Sequence, residues 1–226
     1  MSPPQKRQRR DRKEKQRVNI DDWVPKTELG KMVKAKQITE MGQVFANNMI
    51  IREPEIVDFL LPDLEDDVVG VGKAKRPFKR TQRMTDSGRR QKFFVMAVVG
   101  NRNGNVGLGI GKAWEYGPAI TKAVNAAKLN MIQVPLACGS WECGCSIGHS
   151  VPFSVTGHSG SIRFKLIPAP KGTGLAANDT AGLILRLAGV KDAWSQSKGR
   201  TRSRMNMAKA VFDSLRLIGE MKGALK

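Results

Sequence analysis

The sequence predicts an α+β protein, and three observations support this fold class. The chain contains two pairs of apolar segments, and turn residues separate the two segments of each pair, as in antiparallel hairpins. Each hairpin is followed along the chain by apolar residues at the three-and-four spacing of an amphipathic helix. The 226 residues are 40% hydrophobic, which suffices to bury a core in one large or two small domains.

Charge is distributed in blocks within a formal total of +19. Residues 1–17 hold eight cations and two acids without apolar periodicity, which predicts a disordered basic arm. Residues 18–70 hold five cations and eleven acids, whereas residues 73–92 hold nine cations and the single acid Asp86. The predicted parts are a basic arm (1–20), a helical and acidic extension with a basic linker (21–79), an α+β domain (80–150) and a C-terminal α+β domain (151–226).

The acidic extension has short helical patterns. Leu29, Met32 and Val33 recur at helical spacing, Asp22 is a candidate cap, and Pro54 and Pro62 interrupt the pattern.

The first hairpin is the most readable segment of the chain. Residues 93–99 form an apolar run, and the Asn103-Gly104 pair that follows is a strong hairpin signal. Residues 106–111 then alternate apolar side chains with glycines, so one strand face carries no side chains. We favour close packing of another protein element on this bare face; the alternative is direct approach of an RNA backbone.

A helix should follow, beginning at Gly117-Pro118 with proline in its first position. Its apolar face comprises Ile120, Ala123, Val124, Ala127 and Met131. Lys122 and Lys128 project from other faces. Two strands, a basic loop and a helix in this order are typical of a small RNA-binding α+β module.

The second unit repeats the hairpin and helix pattern. Its predicted strands contain Val151, Phe153, Val155 and then Ile162, Phe164, Leu166, joined by a loop at 157–160. A helix at 180–187 is expected to begin at Asn178 or Asp179 and to stop at Gly189. A loop with Lys198, Arg200, Arg202 and Arg204 leads to a final helix capped by Asn206, with apolar positions Met207, Val211, Phe212, Leu215 and Ile218.

Several functional classes are disfavoured. No apolar run reaches the length of a membrane span, and none follows the cationic start as in a signal peptide, so we expect a cytosolic protein. The Gly107-x-Gly109-x-Gly111-Lys112 run lacks the spacing and the hydroxyl residue of a nucleotide-binding P-loop. Hydrolase-like spacings are also absent, which argues against an enzyme. The loop at 171–174 could bind phosphate through backbone amides, although a plain turn is favoured.

The three cysteines lie within eight residues and cannot form disulfides that cross-link distant parts of the fold, which favours a reducing compartment. Cys138, Cys143, Cys145 and His149 match the ligand count of a Cys₃His zinc site. The spacing lacks a C-x₂-C pair, so structurally incidental reduced thiols are favoured and zinc is the alternative.

The charge pattern favours nucleic acid over an anionic membrane as the partner, because no segment combines a basic face with an aromatic-anchored apolar face. A free RNA chaperone or translational regulator would use the same cations, and a nucleotide-dependent enzyme is a third hypothesis.

Motifs along most of the chain carry a family resemblance. A resemblance to the N-terminal domain of the universal small-subunit ribosomal protein five family is carried by the stretch RMTDSGRRQKFFVMAVVGNRNGNVGLGIGKAWEYGPAITKAVNAAKLNMIQVP. Two segments resemble the C-terminal domain of that family: VPFSVTGHSGSIRFKLIPAPKGTGLAANDTAGLILRLAGVKDAW and NMAKAVFDSLRLI. WVPKTELGKMV, EPEIVDFLLPDLEDDVV and CGSWECGC resemble the archaeal branch. The similarity extends from Trp23 to Leu217.

The resemblance implies a double-stranded-RNA-binding-like domain at 80–150 and a family-type α+β domain at 151–226. It implies a non-enzymatic protein of the small ribosomal subunit in the cytoplasm, which binds small-subunit rRNA and supports decoding accuracy. The implied partners are this rRNA, the neighbouring small-subunit proteins three and four, and mRNA where it enters its channel, with no membrane and no small-molecule substrate. No cofactor is required, and Zn²⁺ is the one candidate.

Residue roles follow from the charge pattern and this resemblance. The loop at 86–90 matches the family's rRNA-contacting hairpin loop. The full expected rRNA set is Arg83, Ser87, Gly88, Arg89, Arg90, Lys92, Arg102, Lys112, Lys122, Lys128, Lys171, Arg200, Arg202 and Arg204. The expected interface with protein four comprises Gly172, Thr173, Gly174 and Asn178. Gly182 stands where an arginine is common in bacterial relatives, so the resemblance does not carry over the polar contacts of that interface.

Overall fold

The computed structural model describes residues 23–72, 76–145 and 148–220, in two compact units that divide after Pro62. The predicted basic arm and the proposed cap Asp22 lie outside the described residues.

The described part of the first unit, residues 23–62, contains three short helices. They are α1 (Glu28–Lys34), α2 (Met41–Ala46) and α3 (Pro54–Leu60). Thr27 caps α1 by accepting the Gly30 N–H at 3.2 Å. The apolar core of the unit includes Trp23, Leu29, Val33, Val44, Ile56 and Val57. Met32, expected on the apolar face, is 37% exposed.

The second unit begins with a five-stranded antiparallel sheet. Its strands are β1 (Glu65–Val68), β2 (Phe78–Thr85), β3 (Gly88–Gly100), β4 (Asn105–Ala113) and β5 (Met131–Gln133). β3 pairs with β1 at one end, with β2 at the other, and with β4 along its opposite edge. The predicted hairpin at Asn103-Gly104 is confirmed, because residues 101–104 connect β3 to β4.

Helix α4 (Tyr116–Leu129) covers the glycine face of β4. A Cβ atom at Gly107, Gly109 or Gly111 would lie 2.1–2.2 Å from backbone carbonyl oxygens of α4. The helix presents alanines at the matching positions, namely Ala119, Ala123 and Ala127, all fully buried. The bare face therefore serves packing between protein elements, as favoured, and the RNA-backbone alternative is wrong.

A four-stranded sheet and two helices follow in the described residues of the second unit. The strands are β6 (Val155–Ser159), β7 (Ile162–Pro168), β8 (Leu175–Ala176) and β9 (Ala193–Lys198), in the order β6-β7-β9-β8. The helices are α5 (Asp179–Ala188) and α6 (Arg204–Glu220). Asn178 precedes α5 as its N-cap, and Gly189 ends it with φ 94°, as predicted.

One apolar core joins the two sheets of this unit. It includes Met96 and Val98 of β3, Phe164 and Leu166 of β7, and residues of α5 and α6. The β3–β4 loop also contacts the end of α5, where the Arg102 and Gly104 N–H groups donate to the carbonyls of Leu187 and Ala188. The two predicted α+β segments are thus packed into one body.

Three local predictions require correction. Helix α4 begins at Tyr116, so Pro118 is its third residue, which the first turn tolerates because those N–H groups have no helical acceptor. Met131 lies in β5. Asn206 lies inside α6, which begins at Arg204.

The second hairpin is also shifted from its predicted position. Its turn is Gly160-Ser161, whereas residues 157–159 belong to β6 and neither Val151 nor Phe153 is in a strand. Gly157 allows close packing on α6, because a Cβ there would lie 2.2 Å from the Ala210 carbonyl oxygen. A glycine required by packing thus resembled a turn glycine in the sequence.

Candidate nucleic-acid interface and metal centre

The outer part of the β2–β3 hairpin is exposed and strongly basic. Its turn is closed locally, since Asp86 Oδ1 accepts the Ser87 N–H at 2.9 Å and the Thr85 hydroxyl donates to the Gly88 carbonyl at 2.7 Å. Arg90 Nη2 donates to the Ser87 hydroxyl at 3.2 Å. These bonds hold a defined turn at the predicted rRNA-contacting loop.

Strand register places five cations on one face of this sheet. Arg83 lies opposite Arg90, Thr81 opposite Lys92, and Lys79 opposite Phe94, which is opposite Lys112 on β4. Opposed residues project to the same side of a sheet. We call this surface the cationic face; it comprises Lys79, Arg83, Arg90, Lys92 and Lys112, all exposed. It is opposite the face covered by α4, because the β4 glycines that contact α4 alternate with Lys112.

The cationic face is electrostatically unfavourable without an anion. Arg83 and Arg90 are directly opposed, and like charges in that relation destabilise a strand pair. Two lysines lie over aromatic rings: Lys92 Nζ is 5.3 Å from the Trp114 ring centroid, and Lys112 Nζ is 5.6 Å from that of Phe94. No acidic residue occupies this face among the positions of β2 and of residues 88–94 that project to it. The arrangement suits a polyanion.

A cleft of about 930 Å³ adjoins the base of the hairpin. Five of its lining residues are cations, and no acid is among the described residues that line it. The lining residues are Val71, Gly72, Arg76, Phe78, Lys79, Arg80, Ser161, Arg200, Arg202, Ser203 and Asn206. The cleft thus brings Arg200 and Arg202 together with the start of β2, across more than a hundred residues of sequence.

Other members of the predicted rRNA set lie elsewhere. Arg102 donates twice to Glu65 Oε2, from Nε at 3.0 Å and Nη2 at 2.7 Å. Arg204 Nη1 donates to the Gly70 carbonyl at 2.8 Å, so it ties α6 to the backbone after β1. Lys122 and Lys128 are on α4, and Lys171 is in the loop before β8.

Sequence reasoning omitted Arg76, Lys79 and Arg80 from the site. All three belong to the basic run at 73–92, so charge counting detected the run but did not select these members. Selecting them required the register of β2 with β3 and the position of the 199–203 loop, which no local pattern reveals.

The loop Lys171–Gly174 has its amides occupied. Gly172 and Gly174 both donate their N–H groups to Asp192 Oδ1, at 3.1 and 2.8 Å. Those two amides are therefore satisfied within the protein, which favours the plain turn over a phosphate-binding loop. Gly172 and Thr173 are exposed at the surface, as is Asn178 at the start of α5.

The predicted metal ligands converge. One donor atom from each of Cys138, Cys143, Cys145 and His149 lies within 4.8 Å of all the others. Cys145 Sγ is 3.0 Å from both Cys143 Sγ and His149 Nε2, and Cys143 Sγ is 3.8 Å from that nitrogen. A tetrahedral zinc site with Zn–S bonds of about 2.3 Å has ligand atoms about 3.8 Å apart. The cluster could hold a metal ion.

The fold closes the loop that carries these ligands. Ala137 and Ser150 exchange backbone hydrogen bonds of 3.0 and 2.9 Å, so Cys138 and His149 lie just inside a closed base. Cys143 and Cys145 are brought back to that base from within the loop. None of these three described cysteines is in a disulfide.

The environment of Cys143 favours the thiolate that a metal requires. The neighbouring Cys145 side chain, then the backbone of Lys171 and of Cys145, and then His149 lower the pKa of Cys143 to about 6. The lowered pKa favours the thiolate, the form of cysteine that binds metals.

His149 contacts a buried carboxylate on its other side. Its Nδ1 lies 2.8 Å from Asp192 Oδ2, and both residues are buried, at 3% and 5% exposure. The ring N–H is not aligned along this short contact, which is therefore not a linear hydrogen bond. Nε2 faces the thiols while Nδ1 faces the carboxylate, which is the arrangement around metal-bound histidines.

Comparison with known proteins decides the family. The model of the N-terminal domain of ribosomal protein S5 matches residues 77–135, and the model of its C-terminal domain matches residues 157–222. The chain belongs to the ribosomal protein S5 family. The first match includes the hairpin and α4, and the second includes most of the second sheet with α5 and α6.

Archaeal S5 relatives match almost the whole chain. The small ribosomal subunit protein uS5 of Methanocaldococcus jannaschii is 52% identical over 200 residues, covering 88% of this chain and 89% of the relative. The protein of the same name from Pyrobaculum islandicum is 50% identical, with 88% and 95% covered. That of Nanoarchaeum equitans is 45% identical, with 91% of each chain covered. The predicted family and its archaeal type are confirmed.

The S5 assignment also settles the broad class. S5 proteins are structural ribosomal proteins, so the prediction that this chain is not an enzyme is confirmed. The α+β fold class is confirmed by both domain matches and by the two sheets with their helices. Among the described residues, no helix has the length and apolar character needed to cross a membrane.

Proposed function

We propose that this protein is a structural constituent of the small ribosomal subunit, in the cytoplasm, and binds small-subunit rRNA through the cationic face and the adjoining cleft. The observation that carries the proposal is the placement of five exposed cations on one sheet face by strand register. Relatives named small ribosomal subunit protein uS5 support the ribosomal role.

Electrostatics and shape provide the binding. Lysine and arginine side chains that neutralise phosphates release counterions, and this release gives affinity without base recognition. Aromatic residues make up 6% of the sequence, which offers little stacking on unpaired bases and favours recognition of folded helices. Opposed Arg83 and Arg90 gain most from an anion, because RNA relieves their mutual repulsion.

The finer role follows from the family resemblance. The protein contributes to the channel where mRNA enters the subunit, supports decoding accuracy, and contacts the neighbouring small-subunit proteins three and four. The surface for protein four comprises the exposed residues Gly172, Thr173 and Asn178 together with Gly174.

The rRNA proposal is tested by the double variant Arg83→Gln, Arg90→Gln. Loss of two phosphate contacts should make the plot of log affinity against log salt concentration shallower by about 1.5. Binding of the full chain to its own small-subunit rRNA is titrated at several salt concentrations. The control Lys165→Gln, Lys209→Gln removes the same charge from exposed sites outside the predicted set. Equal slopes for the two variants would contradict the assignment.

The protein-interface proposal is tested by a photo-crosslinking residue placed at Thr173 in assembled subunits. Its exposed side chain should crosslink to protein four. A crosslinker at exposed Lys209 is the control and should not label that protein. Labelling of protein four from both positions, or from neither, would argue against the loop as the interface.

We also propose that the Cys₃His cluster holds one structural Zn²⁺. Three thiols and one imidazole nitrogen converge within 4.8 Å, and they supply four protein ligands with no position left for a substrate. Closed four-ligand sites are structural, in contrast to the open sites of zinc enzymes.

Zinc content measures this proposal directly. Full-length protein purified without chelator should contain one zinc ion per chain, and His149→Ala should lose it. His158→Ala is the matched control, since His158 is the only other histidine of the sequence and is exposed. Zinc-free wild-type protein that does not take up added zinc would refute the metal site.

A further inference from the structure

One buried carboxylate lies between the metal cluster and the interface loop. Asp192 directs Oδ2 to His149 Nδ1 at 2.8 Å, and Oδ1 accepts the N–H groups of Gly172 and Gly174 at 3.1 and 2.8 Å. Asp192 thus contacts both the loop and a predicted metal ligand.

Backbone contacts also join the metal cluster to residues 191–192 and to the loop. The His149 carbonyl accepts the N–H groups of Lys191 and Asp192, at 2.9 and 3.2 Å. The backbone of Lys171 hydrogen-bonds the Cys143 thiol. The loop is therefore connected to the cluster through a histidine at one point and a cysteine at another.

The loop depends on such connections to adopt one conformation. Gly172 and Gly174 have φ values of 93° and 72°, in the left-handed region that glycine adopts readily. Ordering two glycines costs more conformational entropy than ordering other residues. Convergence of their amides on one carboxylate oxygen offsets this cost and defines the loop's shape.

We infer that Asp192 is a positioning residue that couples occupancy of the metal site to the conformation of the loop Lys171–Gly174. This inference rests on the proposed zinc site. A carboxylate beside Nδ1 favours the tautomer with the proton on that nitrogen, which leaves Nε2 to bind the metal. A metal held at Nε2 in turn fixes the ring, and the fixed ring holds Asp192 beneath the two glycine amides. The metal centre thereby shapes the surface proposed to meet a neighbouring ribosomal protein.

Hydrogen exchange on the full-length protein tests the coupling. The Gly172 and Gly174 amides should exchange at least tenfold faster after zinc is removed with a chelator than in the zinc-loaded protein. The turn at Gly160-Ser161 joins β6 to β7 in the same sheet and is the internal control, with unchanged exchange. Equal loop exchange with and without zinc, once metal removal is verified, would overturn the coupling.

A variant separates coupling from a general loss of structure. Asp192→Asn should weaken zinc binding about 10–100-fold, the usual effect of replacing the group that orients a metal-bound histidine. Its loop amides should also exchange fast when zinc is saturating. Asp213→Asn is the control, because Asp213 likewise accepts a backbone N–H, from His158 at 2.9 Å, without contacting the cluster.

The outcomes distinguish the two proposals. Wild-type protein that binds no zinc refutes the metal site itself. Protein that binds zinc but shows an unresponsive loop, or an Asp192→Asn variant with unchanged zinc affinity, refutes the coupling and leaves the metal site standing.

Discussion

At the scale of single residues, the second unit depends on where side chains are absent. The three glycines of β4 allow the backbone of α4 to lie against the strand, and three alanines complete the contact. Close packing of this kind leaves no room for an added methyl group, because both contacting surfaces are backbone.

Gly109→Ala should lower the free energy of unfolding by about 1–3 kcal/mol, the usual cost of overpacking. A Cβ there would lie 2.2 Å from both the Ala123 carbonyl oxygen and the Ala127 amide nitrogen. Gly182→Ala is the matched control, since a Cβ at this position in α5 meets nothing within 4 Å. The control should gain about 0.5–1 kcal/mol from helix propensity. Denaturant titrations measure both, and a neutral Gly109→Ala would contradict the packing described.

Arg202 and Arg204 are two positions apart in sequence, but their substitution should affect different properties of the protein, namely rRNA binding and stability. Arg204 donates to the Gly70 carbonyl at 2.8 Å, whereas Arg202 is exposed and lines the cleft. Arg204→Gln should cost about 1 kcal/mol of stability. Arg202→Gln should leave stability within about 0.5 kcal/mol and reduce the salt dependence of rRNA binding. Unfolding and binding titrations on both variants test this. If Arg202→Gln lowered stability and Arg204→Gln changed only the salt dependence of binding, the roles assigned here would be wrong.

At the scale of elements, a single carboxylate connects helices of the first unit. Glu53 precedes α3 and accepts the Trp23 indole N–H at 3.0 Å and the N–H groups of Lys26 and Thr27 at 2.9 and 2.7 Å. Thr27 is the N-cap of α1, so these bonds fix the start of α1 against the start of α3.

The same bonds give the first unit a pH dependence. Partial burial raises the pKa of Glu53, but the hydrogen bonds from Thr27, Lys26 and Trp23 outweigh it and hold the pKa below its usual value. The stability from Glu53 is therefore present above the unfolded-state pKa of about 4.3 and is lost as pH falls through the lower folded-state pKa.

Glu53→Gln should reduce the protection of the Lys26 and Thr27 amides from hydrogen exchange at pH 7. In the wild-type protein this protection should decline in acid, and the variant should lose most of that decline. Hydrogen exchange, normalised for the intrinsic effect of pH, measures this. Glu55→Gln makes the same charge change in the first turn of α3 and is the control. A wild-type decline that persists unchanged in Glu53→Gln would assign the pH dependence to another group.

Elements with a local cause were predictable from sequence. The Asn103-Gly104 turn, the stop of α5 at Gly189 and the glycine face of β4 each depend on residues close together in the chain. The turn at 157–160 was misplaced because Gly157 is required by α6, which is distant in sequence. Convergence of the four metal ligands was predictable because they lie within twelve residues. Asp192 was not, since only the fold brings it to His149.

At the scale of the whole molecule, charge and packing are separated. The second unit buries one apolar core between its two sheets, α5 and α6, and another between the first sheet and α4. It presents cations from the hairpin and the 199–203 loop around one cleft. Sequence composition predicted a polyanionic partner, but the register that opposes Arg83 and Arg90 determines which cations act together. A well-packed unit that carries a defined cationic surface suits permanent assembly with folded RNA.

Sedimentation of cell extract in sucrose gradients tests membership of the small ribosomal subunit most directly. The protein should travel with small subunits at physiological ionic strength and remain with them in high-salt gradients that remove loosely bound factors, because the proposed phosphate contacts and protein interfaces would hold it there. Recovery of the protein at the top of the gradient, free of subunits at physiological ionic strength, would contradict this account and favour a free RNA chaperone or regulator.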